Sequence, residues 1–172
     1  RREFRRKLRL FRNAVEDTGH SIYFTDRSGT IEYVNPAFEE TTGYSAQEAI
    51  GMTPRMLKSG EHDREFYEEL WETILSGDVW RNEIVNRDKS GERYVVDQTI
   101  APIENDDGDI THFVAINADV TSQRESEETI KRQNERLEEF ASIVTHDLRT
   151  PVNVATGRVE LASAECESEH HG

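Results

Sequence analysis

The stretch YVNPAFEETTGYSAQEAIG, residues 33–51, passes from the end of a β-rich run into helical sequence. Upstream of it, SIYFTD and TIEYVN flank the turn RSG. Downstream lies a second helical segment, HDREFYEELWETILSG, in which Phe66, Leu70 and Ile74 fall four apart with Tyr67 and Trp71 beside them. Then VWRNEIVNRD and ERYVVDQTIAPI flank KSG, and ENDDGD leads to ITHFVAINADV. Residues 20–121 therefore predict five strands, three of whose connections are short enough for hairpins. The helical insertion between the second and third strands can cover one face of the sheet.

Helical sequence flanks this unit on both sides. In residues 1–19, Phe4, Leu8, Phe11 and Val15 form an amphipathic stripe that could pair with a copy of itself. The basic residues between them could also touch acidic lipid or nucleic acid, but the regular seam favours a linker helix. From Ser122 to residue 172 the pattern stays helical. Ser122 and Glu125 have capping-box spacing, and Ile130, Leu137, Phe140, Val144 and Leu148 recur at steps near 3.5. A helix this long has no core of its own, so a coiled-coil homodimer is the simplest expectation.

The order strand, strand, helices, three strands, with YVNPAFEETTGYSAQEAIG and a terminal DVT before a helix, resembles a PAS domain over roughly residues 13–121. The resemblance implies an α+β fold, a five-stranded antiparallel sheet with covering helices, cupping a pocket that senses a small molecule, light, redox state or nothing. Strand alternation nominates its wall: Trp80, Asn82, Ile84 and Asn86; Tyr94, Val96, Gln98 and Ile100; Phe113, Ala115 and Asn117. These residues describe a ligand site and a filled core equally well. GMTPRMLKSG resembles the segment in which the flavin-binding, light-sensing branch of the family carries its adduct-forming cysteine, and here Pro54 stands in that place. Asn86 and Asn117 match that branch's flavin-facing amides, yet no flavin–thiol adduct is expected. GEHDRE reads as an exposed helix start, so His62 is not expected to ligate haem, and His20 and His112 have no partners spaced for a metal.

FASIVTHDLRTPV resembles the dimerisation and phosphoacceptor region of sensor histidine kinases, whose pattern is histidine, acid, two residues, threonine or asparagine, proline. His146, Asp147, Thr150 and Pro151 match it without a gap. At 100° per residue His146 lies about 200° from both Val144 and Leu148, off the apolar seam, where a neutral imidazole can meet an anionic donor. The resemblance assigns His146 as phosphoacceptor, Asp147 as general base and Thr150 as the residue that positions a water for dephosphorylating a partner. Pro151 removes an N–H and should bend the helix one turn after His146. The resemblance implies a protein histidine kinase with an ATP-binding domain and a response-regulator receiver domain as partners. Only 21 residues follow Pro151, with two glycines, Gly157 and Gly172, so ATP and magnesium are expected to act only through a missing or separate domain.

Composition sets the outer limits. In 172 residues, hydrophobic content is 34% and charged content 33%, with a net charge of −14. Residues 1–12 hold seven basic groups and one acid, +6, so the remainder carries −20. Such a surface, with four lysines against seventeen arginines, resembles proteins of salt-loving archaea. Neither general nucleic-acid binding nor membrane contact is expected. One cysteine, Cys166, excludes an internal disulfide or a multi-cysteine metal site, and no run is long and apolar enough to cross a bilayer, so a cytoplasmic location is expected.

Overall fold

A computed structural model describes the backbone of residues 2–168 and the side chains of residues 2–146 other than Phe4. The elements run α1 (Arg2–Glu16), β1 (Ser21–Asp26), β2 (Ile31–Val34), α2 (Pro36–Thr42), α3 (Ala46–Ala49), a 3-10 turn (Pro54–Leu57), α4 (Arg64–Leu75), β3 (Trp80–Arg87), β4 (Arg93–Glu104), β5 (Ile110–Asp119) and α5 (Thr121–Ser168). The chain divides into two compact units at Glu125.

The five strands form one antiparallel sheet in the order β2-β1-β5-β4-β3. All three hairpins use one turn chemistry. Asp26, Asp88 and Asn105 each stand at the start of a turn: Asp26 and Asn105 accept the backbone N–H groups two and four residues on, and Asp88 accepts the N–H of Glu92 and the hydroxyl of Ser90. At the first turn Gly29 has φ +90°, and a Cβ there would come within 3.0 Å of the Trp71 ring. The turn therefore needs glycine twice, once for its backbone and once for its neighbour.

YVNPAFEETTGYSAQEAIG folds as two short helices broken at Gly43 (φ +73°). Asn35, fully buried, sets the first. Its Oδ1 accepts from Phe38 N at 3.0 Å, capping α2, and from Ile22 N at 2.8 Å in β1. Its Nδ2 donates to the carbonyls of Val15 and His20, both at 2.9 Å. Phe38, Ala49, Leu57, Leu70 and Ile74 then pack with Tyr23, Ile31, Trp80, Ile100 and Phe113 of the sheet to make the main core. The helices cover the inner face and the strands cup beneath them.

The end of β5 is tied to β4. Thr121 N and Oγ1 both donate to Asp119 Oδ1, Val95 N donates to Thr121 Oγ1 at 2.9 Å, and Val120 N donates to Val95 O. Arg124, three residues into α5, pairs with Glu83 of β3. Further along, α5 exposes Ile130, Leu137, Phe140 and Ile143. His146 is exposed. α5 runs through Pro151 as one helix to Ser168; the side chains of Asp147 and Thr150 lie outside the described residues.

Removing the Asn35 side chain should leave several buried backbone groups unpaired at once. Asn35→Ala is expected to cost about 3 kcal/mol in urea unfolding. Asp63→Ala, which deletes only the α4 cap to Phe66 N, should cost about 1 kcal/mol.

Candidate ligand cavity

Between sheet and helices lies a cavity of about 860 Å³, within the range of small-molecule sites. Its floor is the inward face of the strands: Tyr23 of β1, Ile84 and Asn86 of β3, Gln98 of β4, Phe113 and Ala115 of β5. Its roof is Leu57 of the 3-10 turn with Tyr67, Leu70 and Trp71 of α4. Trp71 meets Phe113 edge-on at 6.0 Å, so roof and floor touch at one end. Arg55, Lys58 and Arg64, with Asp63, Glu68 and Glu72, also border the cavity.

The polar part of the floor is an amide chain. Gln98 Nε2 donates to Tyr23 OH at 3.1 Å and to Asn117 Oδ1 at 2.7 Å, and Asn117 Nδ2 donates to Ser21 O at 3.2 Å. The chain thereby links β4, β1 and β5 across the sheet. Burial pushes the Tyr23 phenol well above its ordinary range, against the opposing Gln98 bond. Burial likewise raises the Tyr94 phenol, and its bond to Asn86 opposes the shift. Both hydroxyls stay neutral and act only as hydrogen-bonding groups. Among the described residues no buried side-chain nitrogen or oxygen lacks a partner.

Of the eleven wall residues nominated by strand alternation ten are buried, namely Trp80, Ile84, Asn86, Tyr94, Val96, Gln98, Ile100, Phe113, Ala115 and Asn117. Six of them, Ile84, Asn86, Gln98, Ile100, Phe113 and Ala115, line the cavity. Trp80 instead packs edge-on against Phe66 at 5.5 Å. Tyr94 and Val96 pack with Ile84 beneath Phe66 and Tyr67. Asn117 reaches the cavity only through Gln98. Asn82, expected on the same face as Trp80 and Ile84, is exposed, and its own Oδ1 accepts the N–H of Glu83 at 2.9 Å.

His62 corrects the sequence reading more sharply. It is half-buried, stacked on Phe66 at 4.1 Å, and its Nε2 accepts the backbone N–H of Val85 at 2.8 Å. Ser59 Oγ donates to Val85 O, and Lys58 bridges to Asn86. The segment Lys58–His62 thus satisfies the open edge of β3, which a solvent-facing strand would leave unpaired. With Nε2 spent on Val85, the ring is held as the Nδ1–H tautomer. Lys58 Nζ lies 3.6 Å from the Tyr67 ring centroid, a cation–π contact at the border of the cavity.

Sequence reading did not nominate Tyr23, Leu57, Tyr67 or Trp71. The signal for the last two was the aromatic pair beside the Phe66, Leu70, Ile74 stripe, which marked a covering helix without saying that it covered a hollow. Pro54 lines the cavity at the position where the light-sensing branch carries its thiol. A pyrrolidine ring offers no nucleophile, so the lining does not fit a flavin–thiol adduct.

A family model described as PAS domain matches residues 19–122. The chain belongs to the PAS-domain family. Over 129 residues it is 34% identical to the nitrogen fixation regulatory protein of Klebsiella pneumoniae, covering 75% of this chain and 26% of that one. It is 33% identical over 114 residues to the blue-light-activated histidine kinase of Brucella canis, covering 64% of this chain and 23% of that protein. The chain thus spans about a quarter of these curated relatives. Among solved structures, an RNA-binding light-oxygen-voltage receptor superposes with a TM-score of 0.65 at 26% identity, over 73% of this chain and 36% of that one. The PAS domain here is a sensory module homologous to those of histidine kinases and of a regulatory protein. Among the described residues no helix is long and apolar enough to cross a membrane.

Burial lowers the His62 pKa below its ordinary 6.5, outweighing Glu61 and Asp63 beside it. A folded value below the unfolded one means that the neutral ring's contribution is present above the unfolded pKa. It is lost as pH falls through the folded pKa. Titration by NMR should show His62 protonating below 6.5, with the Val85 amide losing exchange protection over the same interval. His62→Gln, which keeps an acceptor, should flatten that dependence.

Proposed function

We propose that the chain is the sensory and phosphoacceptor portion of a two-component sensor histidine kinase. The observation that carries this reading is one of continuity. Strand β5 walls the cavity with Phe113 and Ala115, then runs through Val120 directly into the helix that bears the exposed His146. A ligand in the cavity acts on Gln98 and, through its amide chain, on Asn117 of β5. Thr121 and Arg124 hold the start of α5 to β4 and β3, so a shift of the sheet moves the root of the helix.

In this reading α5 pairs with its copy in a homodimer through Ile130, Leu137, Phe140 and Val144, and an ATP-binding domain docks beside His146. A neutral imidazole nitrogen attacks the γ-phosphorus, the bond to the β–γ bridging oxygen breaks, and ADP leaves. Asp147 takes the proton from the other ring nitrogen, and the phosphoryl group passes to a response-regulator receiver domain. Thr150 positions the water of the reverse, dephosphorylating activity, and Pro151 loosens the helix where the domain docks. A second reading, a non-catalytic ligand-binding and dimerisation relay, rests on the cavity alone and needs no chemistry at His146.

Supplying a cognate histidine-kinase ATP-binding domain and Mg-ATP in trans should label the chain with acid-labile phosphate. His146→Ala should abolish the label, and Asp147→Asn should slow it about a hundredfold or more. A folded, dimeric preparation that stays unlabelled would favour the relay reading. One residue inserted at Ser126 should change output sharply, while seven inserted residues should largely preserve it.

A further inference from the structure

The feature that neither the cavity nor the phosphoacceptor explains is α1. All its described side chains from Arg2 to Ala14 are exposed, and only Val15 and Glu16 are half-buried. Leu8, Leu10 and Phe11 stand 61%, 60% and 72% exposed. At 100° per residue Arg12, Arg5, Arg9, Arg2 and Arg6 share an arc of about 120°, while Leu10, Ala14, Phe11, Val15 and Leu8 share the opposite arc of about 160°. Glu3 and Lys7, four residues apart, sit inside the apolar arc.

Two observations decide what covers this helix. Outside α1 the chain is strongly acidic, yet among the described residues the one ion pair made by α1 is internal, Arg12 to Glu16 at 2.8 Å. The basic arc is therefore not spent on the PAS unit. Self-pairing is opposed by charge. If Leu8, Phe11 and Val15 form a coiled-coil seam, Arg5 and Arg12 flank it on one side and Lys7 on the other. A parallel copy then sets Lys7 against Arg12, and an antiparallel copy sets arginine against arginine. A polyanion such as RNA would neutralise the basic arc and leave Leu8, Leu10 and Phe11 in water. An anionic lipid surface takes both arcs together: apolar side chains enter the acyl boundary, and guanidinium groups reach up to the headgroup phosphates.

We infer that α1 is an interfacial helix that docks the chain on an anionic membrane surface. This revises the expectation of no membrane contact, and it stands apart from the phosphoacceptor reading because no residue of α5 enters it. The helix lies on the bilayer and does not span it.

The full chain should co-sediment with phosphatidylglycerol vesicles and not with phosphatidylcholine vesicles, with binding that weakens as salt is raised. Arg6→Gln and Arg9→Gln should each lower the partition coefficient about fivefold. Phe11→Asp should abolish pelleting, while the thermal unfolding of each variant matches the parent because these side chains are exposed. No pelleting with anionic vesicles would overturn the inference. So would pelleting unchanged by Phe11→Asp, tighter retention of a single-stranded RNA oligonucleotide than of vesicles, or a loss of self-association in Phe11→Asp without any vesicle binding.

Discussion

The fold turns on the side chain of Asn35. A primary amide offers two donors and two acceptor lone pairs, and here both atoms are used twice, across four partners that lie in separate parts of the chain. Ile22 N belongs to β1, next to the centre of the sheet. Phe38 N belongs to the first turn of α2, and Val15 O and His20 O belong to the approach from α1. No other side chain of similar size can supply this set: aspartate lacks the donors, serine lacks the reach. Because the amide is fully buried, each bond is made without competition from water, and losing one leaves an unpaired backbone group inside. The angle at which α2 leaves the sheet follows from this node.

The cavity itself is a compromise between packing and reception. An empty apolar void of about 860 Å³ would cost roughly 20 kcal/mol at about 24 cal/mol per Å³, more than the whole stability of a domain of this size. Its lining is not that of a dry void: Gln98 and Asn86 line its floor, and charged side chains border it, a polar surface that suits water or a ligand. The amide chain serves both needs. It satisfies buried polar atoms internally, so the floor is stable without ligand. It also leaves Tyr23 and Gln98 as the members that touch the cavity.

Much of this was legible in the sequence because it is local. Period-two alternation placed ten inward residues, and the Asp-x-Ser-Gly turns are short-range devices whose partners lie two to four residues away. The PAS resemblance supplied the topology. What was not legible depends on distant pairing. His62 sits among Glu61, Asp63 and Arg64, a neighbourhood that reads as surface, and only the unpaired edge of Val85, 23 residues on, draws its ring inward. Asn82 shows the converse: alternation aims it inward, yet the side chain satisfies itself on Glu83 N and stays in water. Whether the wall enclosed a hollow or a filled core was open for the same reason, since that depends on how far α4 stands from the sheet.

The two flanking helices carry the same sequence signal, an apolar stripe at steps near 3.5, and the residues beside the stripe separate their fates. Along the Ile130–Leu137–Val144 seam of α5, the positions that face each other in a parallel pair are Thr129 with Asn134 and Arg136 with Ala141. No like charges meet, so a second copy is an acceptable cover for side chains as exposed as Leu137 and Phe140. Along α1 the corresponding pair is Lys7 with Arg12, like charges that oppose a copy and, in the inference drawn above, favour an anionic cover. A stripe alone states that a helix needs a partner; the flanking charge states which one. Under the proposed dimer and the inferred membrane contact, the PAS unit has distinct attachments at its two ends, one to a surface and one to its own twin, and a change in the sheet between them works against a fixed support.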